Sequence, residues 1–271
     1  MFVIDTILHR LKRGSQTMAY PDGPAPALPD RHGGALRVEG AKCTDGCSLC
    51  VPVCPTQAIT RTAGESVRLD LGRCTFCAAC VEVCPTQAIT QTGDHRMAVR
   101  RREDLVLGNQ SSEEVRLASA LDETLHRLFG RSLRLRQVSA GGCNACEADT
   151  NVLGTIGWDL GRFGIQFVAS PRHADGLLIT GPVSKGMELA LRKTYEAVAP
   201  PKLVIAVGAC AIAGGPFIGH QQVCNGAEAI VPVDMFIPGC PPHPLTILDG
   251  LLRLLGRLEN ESRDSDGRRR A

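Results

Sequence analysis

Cys50 to Thr60 reads CVPVCPTQAIT, and Cys80 to Thr90 reads CVEVCPTQAIT. The two stretches differ at one position and are offset by 30 residues. A repeat this close predicts two copies of one small supersecondary unit packed on each other. Further cysteines head each copy, Cys43 and Cys47 before the first and Cys74 and Cys77 before the second. Pro55 and Pro85 follow the last cysteine of each. The second copy is C-x2-C-x2-C-x3-C-P without deviation, whereas the first has three residues between Cys43 and Cys47.

Short spacings of this kind wrap three thiolates around one face of a metal cube. The distant fourth cysteine, held by its proline, reaches the other cube. The expected sets are therefore Cys43, Cys47, Cys50 and Cys84 on one [4Fe-4S] cluster, and Cys54, Cys74, Cys77 and Cys80 on a second. Paired zinc knuckles lack the fourth C-P. The stretch from 40 to 95 resembles the bacterial two-cluster ferredoxins, which implies a small α+β unit.

The bulk numbers support metal rather than disulfides. There are 13 cysteines in 271 residues. Met1 to Arg13 has Asp5 early and its basic residues late, the reverse of a signal peptide. A reducing compartment makes metal ligation the default reading of clustered cysteine. Net charge is +2, which is neutral on a nucleic-acid partner, and the absence of aromatic–basic interleaving gives no reason to expect one. No apolar run reaches the roughly 18 residues of a membrane span.

Residues 1–36 read as an amphipathic helix followed by a Pro/Gly linker. Val3, Ile4, Ile7, Leu8 and Leu11 make its apolar face, and His9, Arg10, Lys12 and Arg13 the basic one. Such a helix docks on its own protein, on a partner subunit, or on an acidic membrane surface. Residues 37–95 are the repeat unit. Residues 96–132 are a connector, with an Arg-rich stretch at 96–102 that is either a docking face or solvated. Ser111 and Ser112 are placed to cap a helix running to about Phe129. The tail, 259–271, is polar.

From 133 to 258 the pattern changes. Apolar stretches at 133–138, 165–169, 176–180 and 203–207 alternate with helical patterns at about 150–162, 184–197 and 244–258. Alternation of this kind predicts an α/β unit with an open, mostly parallel, flavodoxin-like sheet, with sites in loops beyond the strand C-termini. Three such loops carry cysteine: Cys143 and Cys146 within Gly141–Glu147, Cys210 within Gly208–Gly215, and Cys240 within Pro238–Pro244. Flanking Gly and Pro let the backbone approach a cluster and aim N–H groups at its sulfurs.

RHADGLLITGPV, KLVIAVGACAIAGGPF and IVPVDMFIPGCPPHP resemble the 20-kDa subunit family of respiratory complex I and the small subunits of nickel–iron hydrogenases. That resemblance implies a third [4Fe-4S] cluster on Cys143, Cys146, Cys210 and Cys240, beside the active site of a large partner subunit. Quinone-reducing members usually have adjacent cysteines at the first position. The two residues between Cys143 and Cys146 look like the formate hydrogenlyase branch of membrane-bound hydrogenases. MFVIDTILHRLKRG, AYPD and LGRCTFCAACVEVCP are similar to the ferredoxin-like subunit of the same complexes. The chain thus reads as a fusion of two subunits, which keeps electron donor and acceptor at high effective concentration.

The resemblance implies an oxidoreductase subunit with three [4Fe-4S] clusters. It would be cytoplasmic and peripheral on the inner membrane through membrane-arm subunits. Every paired cysteine is assigned, so the catalytic centre belongs to a hydrogenase or complex I-like large subunit. A quinone-reducing module without nickel and a free-standing iron–sulfur carrier are the other readings. Glu147 beside a ligand can relay protons or meet the large subunit, or be an ordinary surface or capping carboxylate. His243 can tune the third cluster or make a structural polar contact. Cys224 reads as a buried small hydrophobe.

Overall fold

The computed structural model describes residues 2–61, 67–108, 115–130 and 132–258. Helix α1 (Phe2–Arg13) forms as its spacing predicts. Its five aliphatic side chains, Val3, Ile4, Ile7, Leu8 and Leu11, are 49% to 74% exposed, so the helix is not docked on its own protein. The segment after it is laid on the second unit instead. Met18 N–H donates to Gly157 O at 3.0 Å, and the Arg162 guanidinium donates to the carbonyls of Met18 and Tyr20 at 2.8 and 2.6 Å.

The repeat unit follows, with β1 (Leu36–Val38), β2 (Ile59–Thr60), β3 (Arg68–Asp70), α2 (Ala79–Glu82), β4 (Ile89–Gln91) and β5 (Val106–Leu107). β1 pairs antiparallel with β4, and β2, β3 and β5 make an antiparallel sheet in that order. Each copy ends in a strand, β2 or β4. Gln57 and Gln87, at equal positions in the two copies, both take positive φ (52° and 51°). The α+β unit predicted from the repeat is what the chain builds.

The Arg-rich stretch is packed between the two units at its centre and solvated at Arg101. Met97, Ala98 and Val99 are buried, and Val99 forms a bridge with Phe236 of the second unit. Arg96 pairs with Asp94, Arg100 donates to Asp234 O at 2.8 Å, and Arg102 grips Asp70 through two bonds of 2.8 and 2.7 Å. Three consecutive residues are thus packed while the charged residues around them are locally matched. The predicted capping serines, Ser111 and Ser112, lie outside the described residues, as does the tail. Helix α3 (Glu123–Phe129) begins later than expected, at Asp122, whose Oδ1 accepts from Thr124 N and Leu125 N at 3.0 and 2.9 Å. Upstream, Ala118 and Leu121 donate their backbone N–H groups to Ala98 O and Leu254 O, which takes them out of any helix.

The second unit comprises β6 (Leu133–Ser139), α4 (Ala145–Val152), β7 (Ile165–Phe167), β8 (Gly176–Thr180), α5 (Lys185–Ala197), β9 (Leu203–Val207), α6 (Ala209–Ala213), β10 (Met235–Ile237) and α7 (Pro244–Leu254). The sheet is wholly parallel in the order β10-β9-β8-β6-β7. Counted from β6 as the first strand this is 2-1-3-4-5, the flavodoxin-like order. The helix predicted over 150–162 is instead α4, earlier and shorter. Gly154 and Gly157 follow it, and Asp159 at φ 46° turns the chain.

Alternate residues of β8 and β9 serve two cores. Leu178, Leu203 and Ile205 face α7. Leu177, Ile179, Val204 and Ala206 belong to a second cluster that also holds Leu36, Ile59, Leu69, Ile89 and the buried Cys50, Cys74 and Cys80. The repeat unit and the α/β unit therefore share one continuous core. On the opposite face, buried Asp249 of α7 accepts from Tyr20 OH at 3.0 Å and from Arg253 Nε at 2.8 Å. Burial, with the neighbouring carboxylate, pushes the Tyr20 phenol well above its usual range. Tyr20→Phe gives up one hydrogen bond and is expected to cost about 1 kcal/mol. Asp249→Ala strips a buried guanidinium of its carboxylate and is expected to cost about 3–5 kcal/mol. Melting temperatures of the two variants check the ranking, and equal losses would refute it.

Candidate metal centres

All 13 cysteines are free thiols. Twelve of them gather into three quartets. Cys50 feels the charges of Cys43, Cys84 and Cys47, and Cys74 those of Cys80, Cys54 and Cys77. Cys146 feels those of Cys210, Cys240 and Cys143. These are the groupings expected from spacing and resemblance, including the exchange of Cys54 and Cys84 between the two copies.

Local backbone sets each quartet. In the second copy, Ala78 takes a left-handed conformation (φ 65°) at the start of α2, between Cys77 and Cys80. Asn144 does the same (φ 70°) at the start of α4, between Cys143 and Cys146. Both C-x2-C pairs thus turn straight from a loop into a helix, which points both thiols to one side. Cys143 and Cys146 follow β6, Cys210 sits on α6 just after β9, and Cys240 follows β10, so the third quartet lies at the strand C-termini.

Burial and like charge act together on these sulfurs. Burial pushes the thiols of Cys74, Cys146 and Cys210 up to about 12 and that of Cys80 up to about 11, with neighbouring thiols adding to the rise. Cys50 and Cys240 are raised for the same first reason. Cys84 goes the other way. Its desolvation is outweighed by N–H groups of Ile89 and Ala88 and by Thr86. Backbone N–H groups also donate to sulfur at Cys54 (from Ala58, 3.2 Å) and Cys74 (from Phe76, 3.2 Å). Thiols this hard to ionise pass to thiolates only against a strong positive partner, and metal binding supplies one while releasing protons.

The residues present fit iron–sulfur clusters. Cys43, Cys47, Cys50 and Cys84 line one small cavity of about 20 Å³ with Val38, Val67 and Ile89. At the third quartet, a Cβ on Gly208 (φ 89°) would fall 2.6 Å from Cys146 Sγ, and one on Gly215 2.8 Å from Cys210 Sγ. Glycine is therefore required beside two of its sulfurs. Among the described residues no three Cys, His, Asp or Glu side chains converge tightly enough for a single metal ion. Four thiolates per site are the ligand set that a [4Fe-4S] cube takes.

The second quartet neighbours both of the others. Cys50 of the first is among the charges acting on Cys80 of the second. Gly72, two residues before Cys74, lies so close to Ile212, two residues after Cys210, that an added Cβ would sit 2.8 Å from its Cγ2. Phe76 of the second loop and Gly239 and Pro241 of the third line a common cavity of about 280 Å³.

Glu147 is 5% exposed and caps nothing, which removes the surface-carboxylate reading. Its Oε1 accepts from Ser139 Oγ at 2.6 Å and Thr180 Oγ1 at 2.7 Å. His243 caps α7, with Nδ1 accepting from Leu245 N at 3.1 Å, and packs edge-on against His32 and Trp158. Burial holds its pKa below the usual imidazole range. That is the structural contact foreseen as one of its two roles. Cys224 is buried, and its thiol also donates to Glu188 Oε2 at 3.6 Å. Sequence reasoning passed over Arg61, whose guanidinium reaches Cys43 Sγ at 3.6 Å. The available signal was that Arg61 stands where the second copy has Gln91.

The sequence matches two family models, one for a 4Fe-4S dicluster domain over residues 42–88 and one for the NADH ubiquinone oxidoreductase 20 kDa subunit over residues 143–254. A probable membrane-bound hydrogenase subunit of Pyrococcus furiosus is 40% identical over 148 residues, 55% of this chain and 88% of that protein. Formate hydrogenlyase subunit 7 of Escherichia coli is 37% identical over 163 residues, 58% of this chain and 64% of that protein. An NADH-quinone oxidoreductase subunit of Phocaeicola vulgatus is 40% identical over 147 residues, 54% of this chain and 72% of that protein. With its parallel sheet and three cysteine loops in place, the chain belongs to the 20 kDa subunit family of NADH–ubiquinone oxidoreductase, joined here to a 4Fe-4S dicluster domain.

Proposed function

We propose that the chain is the electron-relay subunit of a membrane-associated complex of the formate hydrogenlyase or hydrogenase type. Cys43, Cys47, Cys50 and Cys84 hold the first [4Fe-4S] cluster. Cys54, Cys74, Cys77 and Cys80 hold the second, and Cys143, Cys146, Cys210 and Cys240 the third. When bound, these clusters carry single electrons to or from a nickel–iron centre in a large partner subunit. The observation that supports the reading is the adjacency of the quartets, the second neighbouring both the first and the third. Residues 37–95 would then be the input side and residues 133–258 the exit side.

This chain's own residues supply fixed positions, backbone N–H donors to sulfur, and apolar burial that keeps water away. Glu147, buried beside Cys146, is held in place at the third quartet by two hydroxyls. The catalytic centre lies in the partner. The apolar face of α1 supports docking on another subunit of the complex, because nothing among the described residues covers it. No described helix is long and apolar enough to cross a membrane.

The spacing of Cys143 and Cys146 and two relatives named as hydrogenase or formate hydrogenlyase subunits support the nickel–iron partner. The third relative, from an NADH-quinone oxidoreductase and 40% identical, supports the alternative of a quinone-reducing module. Metal analysis of the complex purified through this chain separates the two. Nickel in the large subunit is the expected result, and an iron-only complex would install the alternative.

About twelve iron atoms per chain are expected, four for each cubane. Gly208→Ala pushes a methyl group into Cys146 Sγ. Iron should fall by about four atoms per chain, with the EPR signals of the other two clusters kept. Full iron in that variant would contradict the assignment of the third quartet. Ile4→Glu with Leu8→Glu on α1 should leave iron unchanged and deplete partner subunits from the purified complex. An intact complex would show that this face docks on nothing essential.

A further inference from the structure

We propose that Arg61 positions the loop of the first cluster and raises that cluster's reduction potential above what the repeat alone would give. The proposal rests on the reading that Cys43, Cys47, Cys50 and Cys84 hold a cluster. Its origin is a break in the internal symmetry.

Adding 30 to a position in the first copy gives its counterpart in the second. Cys47, Cys50 and Cys54 then fall on Cys77, Cys80 and Cys84. Cys43 does not fall on Cys74; Thr44 does. The leading sulfur of the first copy therefore starts from one residue farther out, on a longer loop. Longer loops have more conformational freedom to lose, so something must hold this one.

Arg61 is placed to do that. Its Nη1 donates to Cys43 Sγ at 3.6 Å, to Thr44 O at 3.2 Å, and to the carbonyl of Cys47. One guanidinium thus ties the first ligand to both ends of the inserted stretch. In the second copy the same job needs no side chain, because the N–H of Phe76 donates to Cys74 Sγ at 3.2 Å. The counterpart of Arg61 is Gln91, neutral and turned toward Gly33.

The other sulfur contacts are matched between copies. Ala58 N donates to Cys54 and Ala88 N to Cys84, each at 3.2 Å, and Thr56 and Thr86 stand 3.8 Å from the same two sulfurs. These matched contacts cannot make one cluster differ from the other. Arg61 can. A reduced cluster carries one more negative charge than an oxidised one. A fixed cation donating to a ligand sulfur favours the reduced form, so the potential rises. The site is partly buried, which limits screening by salt.

The test is an EPR-monitored redox titration of the full chain carrying its clusters, in wild type, Arg61→Gln and Arg61→Lys, with iron counted in each. In Arg61→Gln, one of the two repeat-borne midpoints should move to more negative potential while the other two midpoints stay. Arg61→Lys restores the charge without the forked geometry and should recover part of the shift. If Arg61→Gln loses about four irons, Arg61→Lys decides, with the first cluster kept and its midpoint below wild type. Unchanged midpoints at full iron, or an equal shift of all clusters, would overturn the proposal. Loss of the first cluster from both variants would overturn the potential-setting role and leave a structural clamp. A wild-type chain short of iron at the first quartet fails earlier and takes the ligand assignment with it.

Discussion

Sulfurs gathered out of water resist ionisation where burial strips their hydration and like-charged neighbours crowd them. Cys74, Cys146 and Cys210 show how strongly, with burial driving their thiols up to about 12. The protein must hold such groups together by its own structure until a metal core offsets the repulsion. Much of the local structure answers to that demand. Left-handed residues inside the C-x2-C pairs turn loop into helix, glycines stand where a Cβ would strike sulfur, and backbone N–H groups aim at thiols. The left-handed turn occurs in both units, the N–H donors in the repeat unit and the glycines in the α/β unit, although the units have unrelated folds. The constraint belongs to the sulfurs rather than to either architecture.

A second consequence is the seam between the units. A fusion read from sequence implies a tether that raises effective concentration. The structure goes further. Val99 pairs with Phe236, Arg100 binds the carbonyl of Asp234, and Arg102 locks Asp70 just ahead of Cys74. One apolar cluster runs from Leu36 and Ile89 to Ile179 and Ala206. The second and third quartets are thereby held at one separation rather than allowed a distribution of separations. Effective concentration ceases to be the useful quantity, and packing at Gly72 and Ile212 takes its place.

How much of this was legible follows from the range of each signal. The repeat carried its eight sulfurs in spacing alone, because neighbouring ligands on one cube are close in sequence. The cysteines at 143, 146, 210 and 240 come from three strand ends. Only the alternation of strand and helix, with a family resemblance, could bring them together. Strands β8 and β9 were visible as buried apolar runs, and β6 and β7 as stretches in which apolar and polar residues alternate. Strand β10 was not separated from its Pro-rich surroundings, and α4 was placed too late because Cys143 hid the helix start. The stretch at 96–102 misled for a physical reason. Its arginines advertise solvent, while Met97, Ala98 and Val99 between them are what pack.

The same reasoning accounts for Glu147. Beside a cysteine, a carboxylate reads equally as surface, cap or relay, since sequence gives no burial. Its two hydroxyl donors come from the ends of β6 and β8, the pair of strands at which the order of the sheet reverses. A doubly wound sheet opens a crevice at that point, and the third quartet sits over it. Ser139 and Thr180 close the crevice floor by bonding the carboxylate, and its charge acts on Cys146 and Cys210. Arg61 stands in a comparable relation to the first quartet, a side chain outside the twelve cysteines that reaches one of their sulfurs.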